Sequence, residues 1–93
     1  MKQKIYILTF DRDGEGVDYS ELHNKIISMP EIIDWFHYIK SSYIIVTNVE
    51  NATYLNDKLF EIFTIRYLLV EVKLANSNGR LPKQGWEWIM TKY

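Results

Sequence analysis

The chain contains no cysteine among its 93 residues. That excludes a disulfide framework and any thiolate site, and it leaves zinc only histidine and carboxylate ligands. Proline and glycine are scarce, with two and four copies. There is no linker, low-complexity tract, internal repeat or glycine-rich phosphate loop, and no serine elbow. Neither sign of charge dominates: 11 Lys and Arg face 12 Asp and Glu, for a net charge of -1. A chain so balanced lacks a general electrostatic grip on nucleic acid or anionic lipid and has room only for a local basic patch. Long apolar runs are also missing. The first, after Met1-Lys2-Gln3-Lys4, extends over about seven residues, too short for a signal-peptide core or a membrane span. The resulting expectation is a cytoplasmic protein with no membrane partner.

What the chain does have is apolar and aromatic surface. Hydrophobic residues make up 47%, including three Trp, seven Tyr and four Phe. That suffices for the core of one small domain spanning residues 1–93.

Ile5 to Phe10 is β-branched and aromatic and predicts a buried central strand. Asp13-Gly14 and Gly16 mark a turn. Asp18 offers a helix N-cap, Glu21 stands in capping-box position, and Tyr19, Leu22, Ile26 and Ile27 follow at helical spacing. Met29-Pro30 ends that helix, since a residue before proline is pushed out of the helical region. Next come Asp34-Trp35-Phe36-His37-Tyr38-Ile39, the tight turn Lys40-Ser41, and Ser42-Tyr43-Ile44-Ile45-Val46-Thr47, which predict a hairpin. Its second strand is apolar on both faces, as in a strand covered on both sides. Asn51 can cap a second helix with Ala52, Leu55, Leu59 and Ile62 on one stripe. Tyr67 to Leu74 predicts the last long strand. Leu81-Pro82 to Met90 predicts a short terminal helix with Trp86, Ile89 and Met90 docking together. Gly85 weakens that helix, and a terminal strand is the alternative.

The order βαββαβ with short connections is that of a ferredoxin-like α+β sandwich, an antiparallel sheet with two helices on one face. Two helices cover one face only. The strands are too apolar for the other face to stand in water, which predicts a homodimer packed sheet against sheet or joined at strand edges.

Phe10-Asp11 at the end of strand one, the Trp35-to-Ile39 hairpin with Ser42-Tyr43-Ile44-Ile45, the Leu68-Leu69-Val70 strand and the tail Gly79-Arg80-Leu81-Pro82-Lys83-Gln84-Gly85-Trp86-Glu87-Trp88-Ile89 together resemble the small bacterial proteins of the SinR-like family. These are unrelated to the helix-turn-helix sporulation regulator of similar name. The resemblance covers most of the chain. Family members tend to carry Trp where Phe36 and Arg80 stand. That family is similar to the ferredoxin-like ribonuclease subunit of the CRISPR adaptation machinery and to the VapD ribonuclease toxins. The resemblance implies a dimeric protein of nucleic-acid metabolism or defence, a metal-dependent endoribonuclease in some relatives and a scaffold in others. It also implies a role for Asp11 as ligand to magnesium or manganese at the dimer interface. The basic and Ser-Val-Phe features that accompany that aspartate in the CRISPR group are absent here.

Taken by themselves, the residues give several candidate sites. Asp11 ends a strand, where a carboxylate can ligate a hard cation or simply bond the turn's amides. His37 can serve as general acid or base, or as a hydrogen-bonded structural ring; no motif fixes a Ser, Cys or Lys beside it. His23 falls at the margin of its helix's buried stripe. Asp11, Asp13, Glu15, Asp18 and Glu21 form an acidic cluster that opens like an EF-hand loop. Leu22 stands where that loop needs its bidentate glutamate, so a sensor of metal or small molecules is the weaker reading. Arg80 and Lys83 with Trp86 and Trp88 form a candidate patch for RNA or for a partner protein, or else the tryptophans cover the end of the core. Tyr6 and Tyr38 suggest an RNA-recognition sheet, without that module's basic-Gly-aromatic signature. A non-enzymatic interaction module is the alternative to the ribonuclease.

Overall fold

The computed structural model describes residues 3–12 and 16–92. In chain order the elements are β1 (Lys4–Phe10), α1 (Tyr19–Ile27), β2 (Ile32–Ile39), β3 (Ser42–Thr47), α2 (Ala52–Phe60), β4 (Tyr67–Glu71), a 3-10 turn (Leu74–Asn76) and α3 (Lys83–Met90). The strands form one antiparallel sheet in the order β2-β3-β1-β4. The architecture is α+β.

Strand alternation sorts the side chains. Tyr6, Leu8 and Phe10 of β1 point inward. The register sets Tyr6 opposite Ile45, Leu8 opposite Tyr43 and Leu69, and Phe10 opposite Tyr67. Leu22 and Ile26 of α1 and Leu55 and Leu59 of α2 close this inner face, and all four are buried in the same cluster. The helices begin where local chemistry starts them. The Asp18 carboxylate accepts hydrogen bonds from the Ser20 and Glu21 amides at 3.0 and 3.1 Å. Asn51 accepts one from the Tyr54 amide at 2.9 Å. Each cap stabilises its helix by about 1 kcal/mol. Glu21 reaches forward to Lys25 at 3.2 Å, one helical turn on.

Three expectations need adjustment. The last strand ends at Glu71, because Leu74 turns into the 3-10 segment and is buried there. The α2 stripe is Leu55 and Leu59; Ala52 is exposed and Ile62 lies beyond the helix end. The terminal segment is the expected helix but begins at Lys83 rather than Leu81, with Pro82 at its N-cap, extended at φ -60 and ψ 157.

That third helix changes the outer face. A Cβ on Gly85 would lie 2.5 Å from Phe36 Cζ, so the glycine that weakens the helix in sequence allows its close approach to β2. Trp88 stacks on Phe36 with ring centroids 5.3 Å apart. Lys92 donates to Asp34 at 2.6 Å. Burial alone raises the Asp34 carboxyl, but hydrogen bonds from Lys92, the Trp35 amide and the Trp88 indole, with the Lys92 charge, lower it below its ordinary value. Met90, expected to dock, is exposed, while Ile89 is buried. Phe36, Val46, Leu74 and Ile89 are buried outside the main cluster. The face expected to be bare is therefore partly covered by this chain's own helix. The remainder is apolar: Tyr38, Ile39, Leu68 and Val70 are exposed and Ile7 and Ile44 half-buried. No helix among the described residues is long and apolar enough to cross a membrane.

Candidate functional site

Asp11 leaves β1 as a turn residue with its groups engaged. Its amide donates to the Arg66 carbonyl at 3.1 Å, its carbonyl accepts from the Tyr19 hydroxyl at 3.1 Å, and its carboxylate pairs with Arg66 Nε at 2.9 Å. A hard cation needs several oxygen donors. Here a guanidinium already holds the carboxylate, and no group of three or more His, Asp or Glu among the described residues is arranged around a common point. Asp13 and Glu15 of the acidic loop lie outside the described residues, and Asp18 is spent on capping α1.

The basic-aromatic tail does not assemble into a stacking platform. Trp88 has Phe36 stacked against it and Lys92 Nζ 4.9 Å from its ring centre. Lys83 faces Glu87 one turn on at 3.9 Å, and Arg80 lies exposed in the loop before α3. Trp86 is half-buried. Tyr6 and Tyr38 sit on opposite faces of the sheet, Tyr6 in the core and Tyr38 beside Phe36, so they share no binding surface.

His37 is where the structure concentrates chemistry. Its Nδ1 bonds the Ser42 carbonyl at 2.9 Å, which holds the proton on that nitrogen. The ring lies on Tyr43, with centroids 3.9 Å apart and planes 4° apart. Beside both stands His23 of α1, whose Nδ1 is 2.5 Å from the Tyr43 hydroxyl. The two imidazoles are 5.7 Å apart between centroids. Trp35, on the surface, meets His23 edge-on at 5.1 Å. Arg12 follows β1, its guanidinium carbon 4.1 Å from the centre of the Tyr19 ring, and its charge reaches Tyr43.

Each group's proton affinity follows from these surroundings. Burial, and after it the His37 charge, holds His23 below the usual imidazole range. Burial pushes the Tyr43 phenol up to about 12, against a smaller opposing pull from Arg12. Tyr43 is thus a neutral hydroxyl at physiological pH. Both imidazoles are anchored through Nδ1, and among the described residues neither Nε2 has a hydrogen-bond partner. Two half-buried rings with free Nε2 atoms, one poised to stay neutral, can take up and give a proton.

His37 is foreseeable from sequence as a candidate, whereas His23, Tyr43, Arg12 and Trp35 are not foreseeable as its companions. A weak signal existed. His23 follows Leu22 on the inner stripe of α1, and a two-residue turn brings the His37 end of β2 beside the start of β3. The β2–β3 register, Trp35 opposite Ile45 and Phe36 opposite Ile44, carries residue 37 to residue 43, and that register has no such signal.

Compared with protein-family models, curated proteins and solved structures, the chain matches none.

Proposed function

We propose that this chain is a ferredoxin-like domain that acts on nucleic acid, with ribonuclease as its reaction class and a homodimer as its working form. The observation that carries the reaction class is the paired half-buried imidazoles of His23 and His37 beside Tyr43, with Arg12 nearby. Phosphodiester cleavage needs proton transfer at two oxygens and a cation for the charge that builds on phosphorus. With a net charge of -1, contact with the phosphate backbone is local, and Arg12 is placed to supply it. The strand order β2-β3-β1-β4, in which the units β1-α1-β2 and β3-α2-β4 interleave, supports the ferredoxin-like assignment. The exposed strip of Tyr38, Ile39, Leu68 and Val70 supports a second copy on the outer face.

In the metal-dependent form of this reading, magnesium or manganese sits on Asp11 from each of two copies, and Arg66 must release both carboxylates. No step is assigned to that metal. The test is incubation of purified protein with single- and double-stranded RNA and with DNA, in magnesium, manganese or chelator. Cleavage of RNA is the expected result. The absence of cleavage of every substrate in every condition would remove the reaction class.

A second reading, a non-enzymatic interaction module, is favoured by the same outer strip. It predicts a protein that leaves nucleic acid intact and loses a protein partner when Leu68 or Val70 becomes charged.

A further inference from the structure

We infer that His23 and His37 are the base and the acid of a metal-free RNA cleavage through the ribose 2′-hydroxyl, a role that rests on the nucleic-acid reading above and names its substrate. Both rings are tied through Nδ1, His37 to the Ser42 carbonyl and His23 to the Tyr43 hydroxyl. Anchoring one nitrogen fixes the tautomer and presents the other. His37 keeps its Nδ1 proton on a backbone carbonyl whether or not Nε2 is protonated, so it can give up the Nε2 proton and remain a stable neutral ring. In this scheme His23 is the tautomer that donates from Nδ1 to the Tyr43 oxygen and carries the lone pair on Nε2; the contact itself fits either direction, since a neutral phenol can donate as well as accept.

The step balances within these groups. His23 Nε2 takes the proton of the 2′-hydroxyl, and the oxygen forms a bond to the adjacent phosphorus. The bond from phosphorus to the 5′ oxygen breaks, and that oxygen takes the Nε2 proton of His37. The products are a 2′,3′-cyclic phosphate and a free 5′-hydroxyl. The proton lost by His37 and gained by His23 is exchanged with water before the next turnover. Arg12 offsets the additional negative charge on the pentavalent phosphorus. Trp35, exposed at the rim and edge-on to His23, offers a ring on which a base can stack, which suits a single strand better than a duplex. Tyr43 does not touch the substrate. It is a positioning residue, buried against both imidazoles.

The titratable groups facing His23 are His37 on β2 and Tyr43 on β3, and the Arg12 charge after β1 acts on Tyr43. The rate should therefore fall in acid, a limb set by His23.

The experiment uses the full chain, a short single-stranded RNA and the DNA of the same sequence, in chelator. The expected result is cutting of RNA to cyclic-phosphate ends with the DNA intact. His23→Gln and His37→Gln should each lower the rate by about 100-fold or more. The first should also flatten the acid limb. Tyr43→Phe should leave the reaction type unchanged but move the acid limb, and it should shift the His23 ring nitrogen signals in an NMR spectrum toward a tautomer mixture. Thermal melts of each variant identify any that do not fold. If His23→Gln is one of these, the tautomer of wild-type His23, read from its nitrogen signals, decides its role: a proton on Nε2 at neutral pH overturns the proposal. Equal cutting of DNA, or unchanged cutting by folded His37→Gln, also overturns it. Cutting that appears only with magnesium or manganese and disappears in Asp11→Asn overturns it while leaving the nucleic-acid reading intact. No cutting under any condition removes both.

Discussion

The His37 ring lies parallel to the Tyr43 ring, 3.9 Å between centroids and 4° between planes. Tyr43 touches Phe10 on one side of the core and His23 on α1. One buried phenol thus joins the end of the central strand, the edge hairpin and the first helix. Aromatic pairs of this kind are worth about 0.5 to 1.5 kcal/mol beyond the area they bury.

Acid should weaken the fold through His23. Burial and the His37 charge hold the folded ring below its unfolded value, which is near 6.5. The unfolded chain therefore binds more protons in that range, and stability falls as pH falls. The contribution is complete above pH of about 6.5 and is lost as pH drops through the folded value. Urea midpoints at pH 7.5 and 5 should show the decline, and His23→Gln should reduce it. A midpoint that rises on acidification would refute this account.

Alkali acts through Tyr43 with the opposite sign. Its folded phenol is pushed up to about 12 against an ordinary 10.0. A raised value means stability present below pH 10 and lost as pH rises toward 12. The full difference is on the order of 2 to 3 kcal/mol. Tyr43→Phe removes this titration, so its unfolding free energy should change less between pH 9 and 11.5 than that of wild type. Ultraviolet titration of the phenols checks the same point, with Tyr43 among the late-ionising phenols, since burial also raises Tyr6 and Tyr67.

Gly85→Ala should destabilise the protein although alanine favours a helix by about 1 kcal/mol. The added Cβ would lie 2.5 Å from Phe36 Cζ and 3.0 Å from Cε1. Phe36 is held by Trp88 on one side and Tyr38 on another, so its ring cannot withdraw cheaply. Overpacking of this kind costs about 1 to 3 kcal/mol. Thermal melts should show a lower midpoint, partly restored by adding Phe36→Leu.

Asp11→Asn should change stability by less than about 1 kcal/mol. The lost partner is the Arg66 guanidinium, on a side chain 93% exposed. A drop in melting temperature of more than about 8 °C would show that this pair does more than a surface ion pair. The near-silent melt makes the variant a clean probe in cleavage assays.

Leu68→Glu with Val70→Lys should convert a dimer to a monomer without unfolding it. Both side chains stand on the outer face, 59% and 44% exposed. Charge there costs little in the free chain and several kcal/mol when buried without a partner. Sedimentation of wild type and variant at equal concentration tests it. A wild type that sediments as a monomer at micromolar concentration would end the dimer proposal.

The elements were legible in the sequence because their signals are local. Asp18 and Asn51 cap helices through amides two and three residues away. Lys40-Ser41 turns the hairpin, and alternation in Ile5 to Phe10 separates core from outer face. Periodicity found Leu22, Ile26, Leu55 and Leu59 for the same reason. Gly85 misled the local argument, since its value lies in a contact with Phe36 that no local rule contains.

Tertiary structure decided everything that depends on distant residues meeting. Asp34 meets Lys92 across 58 positions, and this helps place α3 on the outer face. Asp11 meets Arg66 across 55 positions, an ion pair that no local rule contains. His23 meets Tyr43 across 20 positions, and the β2–β3 register brings His37 onto the same ring. The sequence by itself determined which residues form strands, helices and core, because burial and capping are settled within a few residues. Only packing determined which polar groups share a site, because that depends on helix placement and strand register, which individual residues do not encode.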